Sequence, residues 1–115
     1  MKRGEVYWAD RIPRSGSEQT GRRPVVVVSN DAFHRTAAWM SIIVVPLSTS
    51  SSQAKRGPTV VSVAAGVAGL TKASVAICHQ VTTLDRAKLT TRIGLLPTEL
   101  LREVEAGLKG ALDLD

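Results

Sequence analysis

Residues 22–29, RRPVVVVS, decide the fold class. Four consecutive valines follow a proline. β-Branched side chains are stiff at χ1 and pack well on a pleated surface, so the run predicts a strand buried on both faces. Pro24 can open such a strand, because only its first ladder donor is lost. A second run, Ser41 to Leu47 (SIIVVPL), predicts another buried strand. Working outward, Glu5 to Asp10 (EVYWAD), Thr59 to Val63 behind Pro58, Ser74 to Val81 and Arg92 to Leu96 read as further short strands.

The connections are read from their turn residues. Residues 13–23 (PRSGSEQTGRR) and 48–57 (STSSSQAKRG) are polar loops, and eleven residues is long for a hairpin. Asn30-Asp31 suits a turn or helix cap, with one or two helical turns over Ala32 to Trp39. Ala64 to Lys72 is a glycine-punctuated connector. The clearest helix is the last. Leu100, Val104, Leu108 and Leu112 recur every four residues, joined by Leu101 and Ala111, and Thr98 is its expected cap. Glu105 and Lys109 have the spacing of a favourable helical pair. Gly107 and Gly110 each weaken the helix by about 1 kcal/mol relative to alanine. Such a helix needs its own sheet or a partner subunit to pack on.

The sum is five or six short strands, a short helix and a terminal helix. Parallel βαβ units need repeated helical crossovers, which are missing. A mainly β (α+β) fold, a small antiparallel barrel with helical additions, fits best. At 115 residues the chain is read as one domain, 1–115, large enough for one core. Neither apolar run approaches the roughly 20 residues that cross a bilayer. The charged opening Met1-Lys2-Arg3-Gly4-Glu5 predicts no export signal. One cysteine, Cys78, excludes an internal disulfide framework, and the expected compartment is the cytoplasm.

Charge is unevenly spread. The net formal charge is +5. Residues 97–115 carry two basic and five acidic side chains, which leaves residues 1–96 at +8. A small domain with that excess has a field suited to polyanions, or simply a solubilising surface.

Several chemistries are weakly supported. His34 and His79 are 45 residues apart and lack ligand-spaced companions, so no metal or other cofactor is expected. No GxxxxGK loop, GxGxxG or GxSxG motif is present. What remains sits at strand ends. Arg22 and Arg23 directly precede the buried valine strand, as ordinary surface charges or as an aimed cationic fork. Ser48 and Thr49 follow the second buried strand, as loop hydroxyls bonded to backbone or as donors. If the two strands pair antiparallel, Arg23 and Ser48 become neighbours. A cation beside a hydroxyl suits a phosphate or its pentacoordinate transition state.

These residues also carry a family resemblance. Arg3-Gly4-Glu5-Val6-Tyr7-Trp8, then Gly16-Ser17-Glu18-Gln19-x-Gly21-x-Arg23-Pro24, Val45-Pro46-Leu47-Ser48-Thr49, Gly69-Leu70, Ser74-Val75, Gln80-Val81-x-Thr83-Leu84-Asp85 and Arg92-Ile93-Gly94 follow in order. Each pattern alone is weak; together they resemble the MazF/PemK family of toxin ribonucleases over nearly the whole chain. The resemblance implies an SH3-like β-barrel and a symmetric homodimer; no membrane attachment is expected, since no apolar run is long enough to cross a bilayer. It implies metal-independent, sequence-specific cleavage of single-stranded RNA, chiefly mRNA; beside that, attack by RNA's own 2′-hydroxyl would leave 2′,3′-cyclic phosphate and 5′-hydroxyl ends. It also implies growth inhibition countered by a MazE-like antitoxin.

By position, the resemblance puts Arg23 on the family's catalytic arginine and Ser48 on its catalytic threonine. Serine keeps the hydroxyl and loses the methyl that restrains it. Adjacent Thr49 is the alternative source of the hydroxyl, and Glu18 is the nearest acidic support. Glu18, Gln19 and Gln80 fall on groove positions associated with substrate or with holding the loop. Beside that, Arg22, Ser50, Gln53, Lys55 and Arg56 are candidate RNA contacts from their loop positions and charge. Two other readings stand as alternatives: a non-catalytic gyrase-poisoning toxin of the same fold, as in the CcdB relatives, and a passive SH3-like RNA-binding module. Trp8 and Tyr7 alternate on a strand, so one is expected in the core; Phe33 and Trp39 are expected to pack in a core or an interface.

Overall fold

A computed structural model describes residues 1–10, 21–49 and 57–115 of the chain. The strands are β1 (Glu5–Ala9), β2 (Arg23–Val27), β3 (Ser41–Ser48), β4 (Val60–Val63), β5 (Ser74–Ile77), β6 (Thr82–Asp85) and β7 (Leu89–Leu95). Helix α1 (Asp31–Arg35) lies between β2 and β3, and α2 (Thr98–Leu112) ends the chain. Neighbouring strands run antiparallel in the order β4-β5-β3-β2-β1-β7, with β6 also on β3. The expected small antiparallel β architecture with two helices is what forms.

Strand β3 is the hub. One edge pairs with β2, setting Val25 opposite Pro46 and Val27 opposite Val44. The other edge pairs first with β6, Ile42 facing Leu84, and then with β5, Leu47 facing Ala76. A strand covered on both edges and both faces has no solvent side, which is why its sequence runs apolar without alternating. The same holds for β2. Val26 enters one core with Val6, Val45, Leu47, Val61, Val63 and Val104. Val25 and Val27 enter a second, with Ala9, Ile42, Val44, Leu84 and Leu89.

Helix α2 packs on its own sheet. Val104 is fully buried, with Leu100, Leu101 and Leu108 packed beside it. Gly107 has a positive reason to be glycine, since a Cβ there would lie 2.6 Å from the Cys78 sulfur. The expected stripe ends early, because Leu112 is exposed. Thr98 is not the cap: Pro97 holds that position with no side-chain bond, and its carbonyl accepts from the Leu101 N–H at 2.9 Å. Glu105 pairs with Arg3 Nη1 at 2.6 Å and ties the helix to the N-terminal segment.

Other expectations need correction. The strand expected over Ser74 to Val81 stops at Ile77, where a 3₁₀ turn over Cys78–Gln80 buries the thiol and exposes His79. Strand β6 is not among the expected strands, and β7 starts at Leu89 rather than Arg92. Both carry mostly exposed or half-exposed residues, so the apolar pattern that marks β2 and β3 is missing. Helix α1 stops at Arg35, short of Trp39. Asn30 does cap it, its side-chain oxygen accepting the Ala32 N–H at 2.8 Å.

Candidate active site

The start of β2 and the end of β3 meet at one side of the sheet. Arg23 is the first residue of β2 and half-buried; Ser48 is the last of β3 and 6% exposed. Both line a cleft of about 560 Å³. Arg22 and exposed Thr49 line it too, so four of the expected residues come together. Glu18, Gln19, Ser50, Gln53, Lys55 and Arg56 lie outside the described residues. Gln80 does not line the cleft; it sits in the 3₁₀ turn that packs against α2.

Two further residues complete the walls, and sequence reasoning missed both. Lys72 comes from the connector between β4 and β5. Glycines hold that connector hard against β7. A Cβ on Gly69 would overlap the Ile93 carbonyl oxygen, and one on Gly94 would overlap the Ala68 carbonyl oxygen. Ala68 is in the left-handed region at φ 56°. The Ser74 hydroxyl donates to the Lys72 carbonyl at 3.0 Å. Nothing near Lys72 in sequence announces a site, since the contact with β7 is long-range. The second is Trp8, which sits across from Pro24 in the β1–β2 register. The Arg22 guanidinium lies over its ring, 4.7 Å from the centroid. Tyr7, on the opposite strand face, packs against the second core, and its hydroxyl donates to Glu5 at 3.2 Å.

The cleft therefore has three cations, Arg22, Arg23 and Lys72, and no carboxylate among the described residues that line it. Its floor is apolar, from Leu47, Leu70 and Ile93. A low-dielectric floor beneath positive charge strengthens attraction for an anion. Cations and hydroxyl-bearing residues lining one cleft are groups suited to a phosphodiester.

The other reactive groups lie elsewhere. Burial pushes the Cys78 thiol up to about 11, which makes it a poor nucleophile at neutral pH. Asp31, His34 and Ser29 form a chain that looks like a hydrolytic triad. His34 Nδ1 is 2.9 Å from Asp31, and Nε2 is 2.7 Å from the Ser29 hydroxyl. Ser29 is buried, its oxygen also accepts the Ile43 N–H at 3.2 Å, and none of the three lines the cleft. With Nδ1 protonated toward Asp31, Nε2 accepts the serine proton, and every group has a partner. The chain is a structural staple: Asp31 also accepts the Arg3 N–H at 2.7 Å. That backbone bond holds the Asp31 carboxyl below its ordinary range; burial opposes it and His34 adds to it. Phe33 and Trp39 stack on each other at 4.3 Å. Among the described residues no group of three or more His, Cys, Asp or Glu has the geometry to hold a metal ion.

The chain is similar to known proteins. The profile of the family described as PemK-like, MazF-like toxin of type II toxin-antitoxin system matches residues 2–112. Endoribonuclease EndoA of Bacillus subtilis (strain 168) is 37% identical over 114 residues, spanning 99% of this chain and 96% of that protein. Endoribonuclease MazF6 of Mycobacterium tuberculosis (strain ATCC 25618 / H37Rv) is 35% identical over 114 residues, 99% of this chain and 98% of that one. Among solved structures, an endoribonuclease in complex with its cognate antitoxin from Mycobacterial species superposes with a TM-score of 0.76 at 26% identity, covering 98% of this chain and 95% of that chain.

Proposed function

This chain belongs to the family of PemK-like, MazF-like toxins of type II toxin–antitoxin systems, and on that premise we propose that its cleft is the active site of an endoribonuclease that cuts single-stranded RNA. The observation that carries the reading is Arg23 and Ser48 lining one cationic cleft. RNA brings its own nucleophile, the ribose 2′-hydroxyl, so the protein needs no metal-bound water. What it must supply is alignment of the 2′-oxygen, phosphorus and 5′-oxygen, and charge stabilisation on the phosphoryl oxygens.

Arg23 suits the second of these needs, because its planar fork matches two phosphoryl oxygens and stays charged. The Ser48 hydroxyl donates to a nonbridging oxygen, with Thr49 beside it as the second candidate. As the 2′-oxygen attacks, the P–O5′ bond breaks. The ends are a 2′,3′-cyclic phosphate and a 5′-hydroxyl, the proton passing from the attacking to the leaving oxygen. Lys72 holds a flanking phosphate, and Arg22 is a further proposed RNA contact. Gln19, Ser50, Gln53, Lys55, Arg56 and Gln80 are the proposed remaining RNA contacts, and Glu18 the proposed acidic support.

A solved relative is an endoribonuclease bound to its cognate antitoxin. We extend that to this chain as a partner whose acidic segment covers the cleft, matching the +8 charge of residues 1–96. A homodimer working on mRNA in the cytoplasm, arresting translation and growth, completes the reading. No helix among the described residues is long and apolar enough to cross a membrane.

The test is digestion of RNA by the purified protein in EDTA, with the fragments' 5′ ends sequenced. Cleavage at a short recurrent sequence is expected. Arg23→Ala should lower the rate by at least about 10²-fold with the circular-dichroism spectrum unchanged. Intact RNA beside inhibited gyrase supercoiling would favour the gyrase poison. RNA bound and left whole would favour the passive module.

A further inference from the structure

We propose that Trp8 and Arg22 form a layered stacking platform, on which a nucleobase flanking the scissile phosphate rests against the outer face of the Arg22 guanidinium. The proposal rests on the reading of the cleft as an RNA site.

Three observations carry it. First, Trp8 is the one aromatic residue among the described residues that line the cleft. The others are committed: Tyr7 packs on the second core, while Phe33 and Trp39 stack on each other. Second, the Arg22 guanidinium lies over the Trp8 ring, 4.7 Å from its centroid. An exposed arginine otherwise samples many rotamers. Cation–π attraction biases this one toward the place over the indole face. Third, Trp8 is half-buried while Arg22 is exposed, so the layer that solvent and ligand meet is the arginine. Guanidinium planes stack bases as aromatic rings do.

Arg22 precedes Arg23 directly, so the stacked base belongs to a nucleotide next to the bond being cut. The apolar floor of Leu47, Leu70 and Ile93 keeps water from one side of it. Every base has a π-face, so the platform adds affinity and alignment with little sequence preference. Trp8 is a positioning residue that acts through Arg22.

The experiment uses a short randomised 2′-O-methyl RNA, which has no free 2′-hydroxyl and is not cut. In a Trp39→Phe background, Trp8 is the only tryptophan, and its fluorescence is expected to change as this oligonucleotide is titrated in. Arg22→Ala is expected to weaken binding about tenfold. It should raise KM for plain RNA by a similar factor while moving kcat much less. Arg22→Lys keeps the charge and loses the plane, so it should not restore binding. Trp8→Phe should keep most of what Trp8→Ala loses.

Wild-type affinity in Arg22→Lys would overturn the platform, because charge alone would then suffice. So would a silent Trp8 signal at saturation. Arg22 is on the surface, so its variants fold even if Trp8→Ala does not. Stacking without cleavage of plain RNA would refute the nuclease reading and leave the platform standing. A parent protein that cuts plain RNA but does not bind the oligonucleotide overturns the platform alone.

Discussion

Arg23, the first residue of β2, and Ser48, the last of β3, line one cleft just beyond the end of the β2–β3 ladder, whose outermost partners are Val25 and Pro46. The start of one buried strand is thereby set beside the end of the next. Both backbones are anchored by ladders that include fully buried valines, so the two side chains are aimed by the core rather than by flexible loops.

The identity of the hydroxyl is open to a direct comparison. Ser48 is held within β3 and buried, while Thr49 is exposed just beyond it. Ser48→Ala is expected to lower kcat by about 10²-fold, the usual cost of losing one aimed donor. Thr49→Ala should cost far less, and Ser48→Thr should keep activity. The reverse order, measured in single-turnover cleavage, would assign the role to Thr49.

Lys72 is expected to act as a charge. Lys72→Ala should weaken single-stranded RNA binding for all sequences alike. The slope of log affinity against log salt should become shallower by about 0.7, the share of one phosphate contact. Binding titrations at several salt concentrations check this; an unchanged slope would remove Lys72 from the interface.

The contact between α2 and the Cys78 turn predicts a stability effect with no catalytic counterpart. Gly107→Ala would drive a Cβ to 2.6 Å from the Cys78 sulfur. The expected cost is about 1–3 kcal/mol, despite alanine's better helix propensity. Urea denaturation measures it, and Cys78→Ala should relieve it in the double variant. In the native parent, Cys78 should resist alkylation at mildly alkaline pH, since its thiol is buried and pushed up to about 11.

Acid should loosen the N-terminal strand. Burial pushes the Glu5 carboxyl up, but the bonds from Arg92 at 2.5 Å, the Lys2 N–H at 2.6 Å and Tyr7 outweigh it. The net shift is downward from 4.5. A carboxyl whose folded value is lowered adds stability above its unfolded value and loses it as pH falls through the folded one. Denaturant midpoints should therefore decline below about pH 4.5. Arg92→Ala should make that decline shallower; an unchanged profile would exclude the pair as its source.

Parts of this molecule were legible in its residues for stated reasons. Val25 to Val28 and Ile42 to Leu47 have no polar side, so both read as strands without solvent faces. Leu100, Val104 and Leu108 mark the inner side of α2. Strand β6 and the first half of β7 escaped notice because an exposed stretch such as Thr90-Thr91-Arg92 has no apolar alternation. Thr82 to Asp85 joins the sheet only because the first half of β3 offers it an open edge.

The order of residues along the chain determined the two buried strands, the terminal helix, the excess of positive charge and the candidacy of Arg23 and Ser48. Those are local properties: branching at Cβ, helical spacing, fixed charge and adjacency to a strand. Tertiary structure alone decided that Lys72 and Trp8 belong to the same cleft and that Gln80 stands outside it. It also decided that Asp31, His34 and Ser29 are a buried staple, not a reactive site. The physical reason is distance along the chain: Trp8 and Lys72 are 64 residues apart. Only antiparallel register and the glycine-tight packing of the β4–β5 connector on β7 bring them to one wall.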